Sequence, residues 1–324
     1  MAIEIGPGWT IGGGISIVTP PSTPTAGWYG GGFTPGAAST VDRITYATDT
    51  ATASVRGPLS LARNGLAATG NTTDGWFGGG YNNPVLVSRV DRITYATDTA
   101  TASVRGPLSS ARKYLAASGN STDGWFGGGN PGASSTVDRI TYATDTATAS
   151  VRGPLSSARK YLAASGNSTD GWFGGGYQFP NPAAPGSRST VDRITYATDT
   201  ATASVRGPLS SAKYSLTATG DTTYGWFGGG YIPGGTGNIS TVDRITYATD
   251  TATASVRGPL SSAKRYLAAS GNSTDGWFGG GIYPGPGYLS TVDRITYATD
   301  TATASVRGPL SLARRNLASA SGVQ

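Results

Sequence analysis

Apolar and polar residues alternate with a period of two in short runs along this chain, and Gly, Pro or Asp bounds each run. Val90-Asp91-Arg92-Ile93-Thr94-Tyr95 alternates in this way, and Gly70-Asn71-Thr72-Thr73-Asp74-Gly75 punctuates. Alternation between such breakers predicts β-strands joined by tight turns. The stretch from Leu59 reads as four strands: strand a over about residues 63–69, a turn, strand b from Trp76 to about Tyr81, a loop, and strand c over residues 90–96. The turn Thr97-Asp98-Thr99 leads into strand d, residues 100–104, and Gly106-Pro107 stops the run.

The four-strand unit recurs. The string VDRITYATDTATASVRGPLS occurs six times, beginning at Val41, Val90, Val137, Val191, Val242 and Val292. A Gly-Trp-Phe-Gly-Gly-Gly string, with Tyr for Phe in its first copy, also occurs six times, at Trp28, Trp76, Trp125, Trp172, Trp226 and Trp277. Their spacings of 48, 49, 47, 54 and 51 residues fit propeller blades, of about 40–50 residues, and not solenoid repeats of about 20–35.

The first and last copies are complementary. The chain enters the repeat at strand b, with Gly27-Trp28-Tyr29, and ends after a strand-a-like segment, Arg315-Asn316-Leu317-Ala318-Ser319. The last strand is expected to pair beside the first three and complete a blade, which removes open sheet edges. The expected fold class is all-β: a six-bladed β-propeller of four-stranded blades over residues 27–324. Residues 1–26 fall outside the count. Gly8-Trp9-Thr10-Ile11-Gly12-Gly13-Gly14 echoes strand b, and VTPPSTPTA reads as a linker. Two readings stand for this segment: an anchor or assembly strand that pairs with another chain, or a decayed repeat lying against the propeller.

Each unit runs in one order: Gly-Gly after an aromatic strand, a variable loop, a strand ending in Tyr, an Asp-Thr turn, then Pro-Leu and a basic residue. This resembles a kelch repeat, from about Gly27 to Gly322. One departure stands out. Kelch repeats usually carry Trp on strand d, which here reads TATASVRG, and the large aromatic stands on strand b instead. Blade packing is expected to differ in detail, so the resemblance guides architecture and not function.

In a propeller the b–c and d–a loops share one face, and the a–b and c–d turns share the other. Strands c and d are the same in all six copies, whereas the b–c loops differ: residues 33–38, 81–89, 130–134, 177–188, 231–239 and 282–289. Loops tolerate change, but the turns and the d–a loop hardly vary, which argues for recognition over drift. The expected ligand-binding residues are Tyr81, Asn82, Asn83, Arg89, Tyr177, Gln178, Phe179, Arg188, Tyr231, Asn238, Tyr283 and Tyr288. Aromatic rings and amides suit a sugar or a protein, and Pro and Gly limit the entropy lost on binding or allow tight bends. A second reading stands for Tyr81, Tyr177 and Tyr231: an aromatic after three glycines simply caps strand b.

Charge is sorted as well. The repeated VDR and VRG segments supply twelve Arg, which cancel against the twelve Asp of VDR and ATD. Arg89 and Arg188 remain in the variable loops. A basic rim is expected at the d–a loop and the start of strand a: Arg63, Arg112, Lys113, Arg159, Lys160, Lys213, Lys264, Arg265, Arg314 and Arg315. The remaining acids, apart from Glu4, are Asp74, Asp123, Asp170, Asp221 and Asp275 in the a–b turn. A positive loop face should attract an anionic partner with a salt-dependent on-rate. The kelch resemblance permits the same use, since some kelch domains hold acidic partners with basic residues near the start of strand a. The termini and the linker are expected near the opposite face.

The chain has no Cys and no His, which removes thiolate nucleophiles, the histidine base and the commonest zinc, copper and iron ligands. No cofactor, metal site or catalytic residue is expected. The six-fold Asp42–Arg43 pattern reads as a structural inter-strand ion pair or turn hydrogen bond, because one catalytic site needs different groups in different roles. Gly78-Gly79-Gly80 is no phosphate loop, since no helix follows it. A modest net charge of +6 with Pro- and Asn-rich loops argues against nucleic acid as a partner. No apolar run reaches the ~18 residues of a membrane span. The opening MAIEIGPGWT lacks the basic and apolar regions of a signal peptide, so none is expected.

Near-identical repeats with diversified tips resemble phage tail-fibre and other virion appendage proteins. The expected function is non-enzymatic: a virion structural or receptor-binding protein, at the virion or an extracellular surface. Its partner would be a cell-surface glycan, a protein receptor or another anionic envelope component. The alternatives are a purely structural decoration or a subunit assembling with other virion proteins or itself through residues 1–26, and a kelch-type protein–protein interaction module.

Overall fold

Each repeat folds into a four-stranded antiparallel sheet with its strands in the order a-b-c-d. In the second blade these are Ala67–Gly70, Asp74–Gly78, Val90–Thr94 and Ser103–Arg105. The computed structural model describes residues 24–178, 186–235, 237–285 and 287–322. Six such sheets stand around one axis, a strands innermost, each inner strand packed against the next and the last against the first. The protein is a six-bladed β-propeller.

The chain ends make the closure. Ala318–Ser321 pairs with Ala26–Gly30, from Gly27↔Ser321 to Gly30↔Ala318, and that strand continues to Val41–Thr45 and Ser54–Arg56. The first blade is thus built from both ends of the chain. Pro24 lies against Gly322 on the side of the a–b turns, so both ends of the closed ring meet there. Strand b starts at Ala26, one residue before the expected boundary. Residues 1–23 of the N-terminal segment lie outside the described residues.

The strands are shorter than alternation suggests, because turns and neighbouring blades take the backbone groups at their ends. Strand b stops at Gly78. Gly79 and Gly80, with φ of +70° and +116°, donate instead to the carbonyls of Arg89 and Arg112. Strand d begins at Ser103 and not Ala100, since the Ala102 N–H donates to Pro58 of the preceding blade. Strand a begins at Ala67, since the N–H groups of Arg63 and Asn64 donate to Ala38 and Tyr81. Strand c ends at Thr94 in a 3-10 turn, Tyr95–Thr97, that carries Asp98 towards the preceding blade.

The unchanging part of the repeat makes the blade-to-blade contact. Trp28 stacks on Tyr95 of the next blade, with centroids 3.7 Å apart and planes 8° from parallel, and its Nε1 donates to Asp98 at 2.8 Å. Asp98 also holds Arg43 at 3.2 Å and Arg56 at 3.5 Å. The same set recurs around the ring and closes with Trp277 on Tyr46 and Asp49. A well-placed aromatic pair adds about 0.5–1.5 kcal/mol beyond its buried area. Gly57 meets the next blade so closely that a Cβ would collide with the Ala100 carbonyl. The tryptophan on strand b therefore does its packing between blades, against the Tyr and Asp that follow strand c.

Candidate binding face

The ten residues expected as a basic rim divide into two sets. Arg63, Arg112, Arg159, Lys213, Lys264 and Arg314 are buried, none more than 2% exposed. Each meets the strand-c aspartate of its own blade. The pairs are Arg63–Asp91 at 2.7 Å, Arg112–Asp138 at 2.7 Å, Arg159–Asp192 at 2.6 Å, Lys213–Asp243 at 3.2 Å, Lys264–Asp293 at 3.0 Å and Arg314–Asp42 at 3.1 Å. Arg63 also donates to the carbonyls of Phe77 and Gly79, and Asp91 accepts from Ser60. Burial pulls the proton affinity of all six cations down, and the facing aspartate opposes it. These six are internal ties between strand c and the triple-glycine turn, which corrects their assignment to a surface rim. The Asp42 and Arg43 families make structural ion pairs between distant segments, as expected: Asp42 holds Arg314, and Arg43 holds Asp98 of the next blade.

The second set, Lys113, Lys160, Arg265 and Arg315, follows one residue later and is only partly buried. Asn64 and Tyr214 occupy the same position in the other two blades. Each of the six forms an antiparallel bridge with the first residue after the glycines: Asn64↔Tyr81, Lys113↔Asn130, Lys160↔Tyr177, Tyr214↔Tyr231, Arg265↔Ile282 and Arg315↔Phe33. Two variable positions, far apart in the repeat, thus lie side by side on the loop face.

One residue further on, the chain turns at the axis. Gly65, Tyr114, Tyr161, Ser215, Tyr266 and Asn316 all adopt positive φ, between 55° and 66°. Their N–H groups donate around a closed ring: Gly65 to Asn316, Tyr114 to Gly65, Tyr161 to Tyr114, Ser215 to Tyr161, Tyr266 to Ser215 and Asn316 to Tyr266, at 2.6–2.9 Å. This hydrogen-bonded collar surrounds the axis. The left-handed conformation suits Gly and is tolerated by Asn, but costs other residues about 1–2 kcal/mol each.

Aromatic and cationic side chains cover the collar. Tyr114 stacks on Tyr161 at 4.1 Å, and Tyr161 lies 5.8 Å from Tyr266 and 5.9 Å from Tyr214. Tyr214 lies 5.3 Å from Tyr177 and 5.4 Å from Tyr231. Lys113 sits 3.6 Å from the centre of the Tyr81 ring, Arg265 4.3 Å from that of Tyr231, and Arg315 5.3 Å from Phe33 and 5.7 Å from Tyr288. Tyr81, Tyr177 and Tyr231 therefore both join the strand-b end to its neighbour and contribute ring surface to the face.

Other expected ligand residues have partners of their own. The Tyr81 hydroxyl donates to Asn83 at 2.8 Å, Asn82 pairs with Val85, Arg89 donates to Ser60, and Arg188 donates to Gln178 at 2.9 Å. Asn238 is buried, and its amide donates to the Ile282 carbonyl at 3.2 Å. It is a link between blades, which corrects its assignment as a ligand contact. Tyr283 is exposed, and Tyr288 stands edge-on to Phe33 at 6.0 Å. Phe179 lies outside the described residues.

Tyr114, Tyr161, Tyr214 and Tyr266 were missed by the sequence reading, although a signal existed. Between the buried cation and the Leu just before strand a, the copies read Asn-Gly, Lys-Tyr, Lys-Tyr, Tyr-Ser, Arg-Tyr and Arg-Asn. The expectation that the d–a loop hardly varies fails at these two positions, and they are the ones nearest the axis.

Charge follows the same geometry. Six cations are internal, paired with six aspartates. The twelve VDR and VRG arginines are matched in number by the six ATD aspartates, the five a–b-turn aspartates and Glu4. The six cations left are Arg89, Lys113, Lys160, Arg188, Arg265 and Arg315, equal to the whole net charge of +6 and all on the loop face. No carboxylate on that face is exposed among the described residues. On the opposite face an axial cavity of about 350 Å3 is lined by small and neutral residues, including Ser118, Asn120, Ser165 and Asn167.

Among the described residues, no helix is long and apolar enough to cross a membrane, and no group of acidic residues could hold a metal ion. The chain matches no protein-family model and no curated protein sequence.

Proposed function

We propose that the protein is a non-enzymatic, receptor-binding propeller of a virion appendage, kelch-like in architecture. Its loop face binds a cell-surface glycan or another anionic envelope component. One observation carries the reading: the largest differences between the blades, in loop length and in residue type, lie on a single face, where b–c loop residues bridge d–a residues around the axis. Drift would mark both faces alike, yet the a–b turns keep one length and change at few positions, Asp221 and Tyr224 among them, while the b–c loops change in length as well as sequence. The collar supports the same reading. It places three tyrosines in a strained backbone conformation over a rigid frame, and such strain clusters at ligand sites. Near-identical scaffolds beside diversified tips support the appendage assignment. Because both ends of the described ring meet on the far side, tethering there leaves the loop face free.

The test is binding of labelled protein to a panel of intact bacterial cells across a salt series. A variant in which every b–c loop is replaced by the short loop of residues 130–134 runs beside it. Selective binding that weakens with salt and disappears in the variant is the expected result. Equal binding by both proteins, or none by either, overturns the reading and favours a subunit that assembles with its own kind.

A further inference from the structure

The cations of the loop face are unevenly placed. Around the collar, the positions just outside it read Asn64, Lys113, Lys160, Tyr214, Arg265 and Arg315. Two lysines occupy adjacent blades and two arginines occupy the adjacent blades opposite, with the uncharged Asn64 and Tyr214 between the pairs. Each pair rests on aromatic surface. Lys113 lies 5.1 Å from the centre of the Tyr114 ring and Lys160 5.7 Å from that of Tyr161, and these two rings are stacked. Arg265 and Arg315 share Tyr266, at 5.1 and 5.7 Å.

Lys113, Arg265 and Arg315 make no ion pair among the described residues. The proton affinity of Lys113 is lowered by burial and by its neighbour Lys160. Like charges held side by side are a cost that a ligand oxyanion relieves.

We infer that an acidic saccharide lies across the axis, with one anionic group at the Lys113–Lys160 pair, a second at the Arg265–Arg315 pair, and its sugar rings over Tyr114, Tyr161 and Tyr266. This rests on the binding-face reading above and names its ligand class. Two separated cation pairs on a disc match two discrete acids better than the continuous phosphate track of a nucleic acid. The electron-rich ring faces take the C–H side of sugar rings, and Asn316, the half-buried amide of the collar, suits a hydroxyl.

Calorimetric titration with oligogalacturonates of increasing length tests this. Their methyl esters, which keep the rings and lose the charge, serve as the first control, and single-stranded DNA of equal charge as the second. The variants are Lys113→Ala with Lys160→Ala, Arg265→Ala with Arg315→Ala, and all four together, each checked by thermal melting for an intact fold. Oligogalacturonate should bind and its ester should not. The single sugar acid should bind far more weakly than a chain carrying two or more acids. Each double variant should lose about 10- to 100-fold in affinity. Failure of oligogalacturonate to bind, equal binding of the ester, unchanged affinity in both double variants, or DNA binding as tightly as the saccharide overturns the assignment. The cell panel separates the two levels. Cell binding lost on loop replacement but untouched in the fourfold variant overturns the acidic saccharide alone, whereas no cell binding by the parent protein overturns the binding face itself.

Discussion

Replacing Tyr95 by Phe should leave the protein as stable as before or slightly more so, whereas the same change at the equivalent Tyr196 should destabilise it. Both rings stack on the tryptophan of the preceding blade. Their hydroxyls differ. Tyr196 meets Ser118 at 2.8 Å, and the other blades carry Ser or Thr at that position. The closing strand carries Ala320 there, and the Tyr95 hydroxyl is buried without a partner. Burial raises the pKa of both phenols; the Ser118 bond partly offsets this at Tyr196, and no hydrogen bond does so at Tyr95. Losing the Tyr196 bond costs about 1 kcal/mol, with more for the stranded serine, while an unpaired buried hydroxyl already costs about 1–3 kcal/mol. Ala320→Ser supplies the missing partner and should add about 1 kcal/mol. In a protein of this size that is a rise of roughly 2 °C in Tm. Urea denaturation at constant m-value, with calorimetric melting, reads all three variants. Equal destabilisation by Tyr95→Phe and Tyr196→Phe, or no gain from Ala320→Ser, would refute the reasoning.

Seven tyrosines, Tyr29, Tyr46, Tyr95, Tyr142, Tyr196, Tyr247 and Tyr297, have pKa values pushed above the ordinary 10.0 by burial. The folded state keeps protons that the unfolded chain releases, so stability is full below about pH 10 and falls above it by about 1.4 kcal/mol per group per pH unit. Alkaline titration should show cooperative unfolding with a burst of tyrosinate absorbance, and smooth ionisation of all tyrosines in an intact fold would contradict this. Asp192→Asn leaves Arg159 buried without its counter-charge and should cost about 3–5 kcal/mol, seen as a lower urea midpoint; a change within 1 kcal/mol would mean the pair is effectively solvated. Gly153→Ala drives a methyl into the Ala201 carbonyl of the next blade and should cost about 3 kcal/mol or more, and a thermal melt matching the parent would show that the blades can part.

Blade number, strand order and the pairing of the last strand with the first were legible from the sequence alone. They follow from counting repeats and from period-2 alternation, which are local properties of the chain. The choice of one face for the variable b–c loops was legible for the same reason. Arg112 and Lys113 mark the limit of that reading. They are adjacent and carry the same charge, yet Arg112 is sealed against Asp138 while Lys113 stays at the face. Nothing local separates them; the partner that buries Arg112 lies 26 residues away on another strand. The collar was equally hidden, because its six members come from six different blades and meet only once the ring has closed. Composition set the net charge of +6 and repeat position already pointed to a positive loop face, but which basic residues stay at that face and which are sealed against an aspartate was decided by tertiary structure, since burial of Arg112 and its equivalents depends on a partner brought in from another strand.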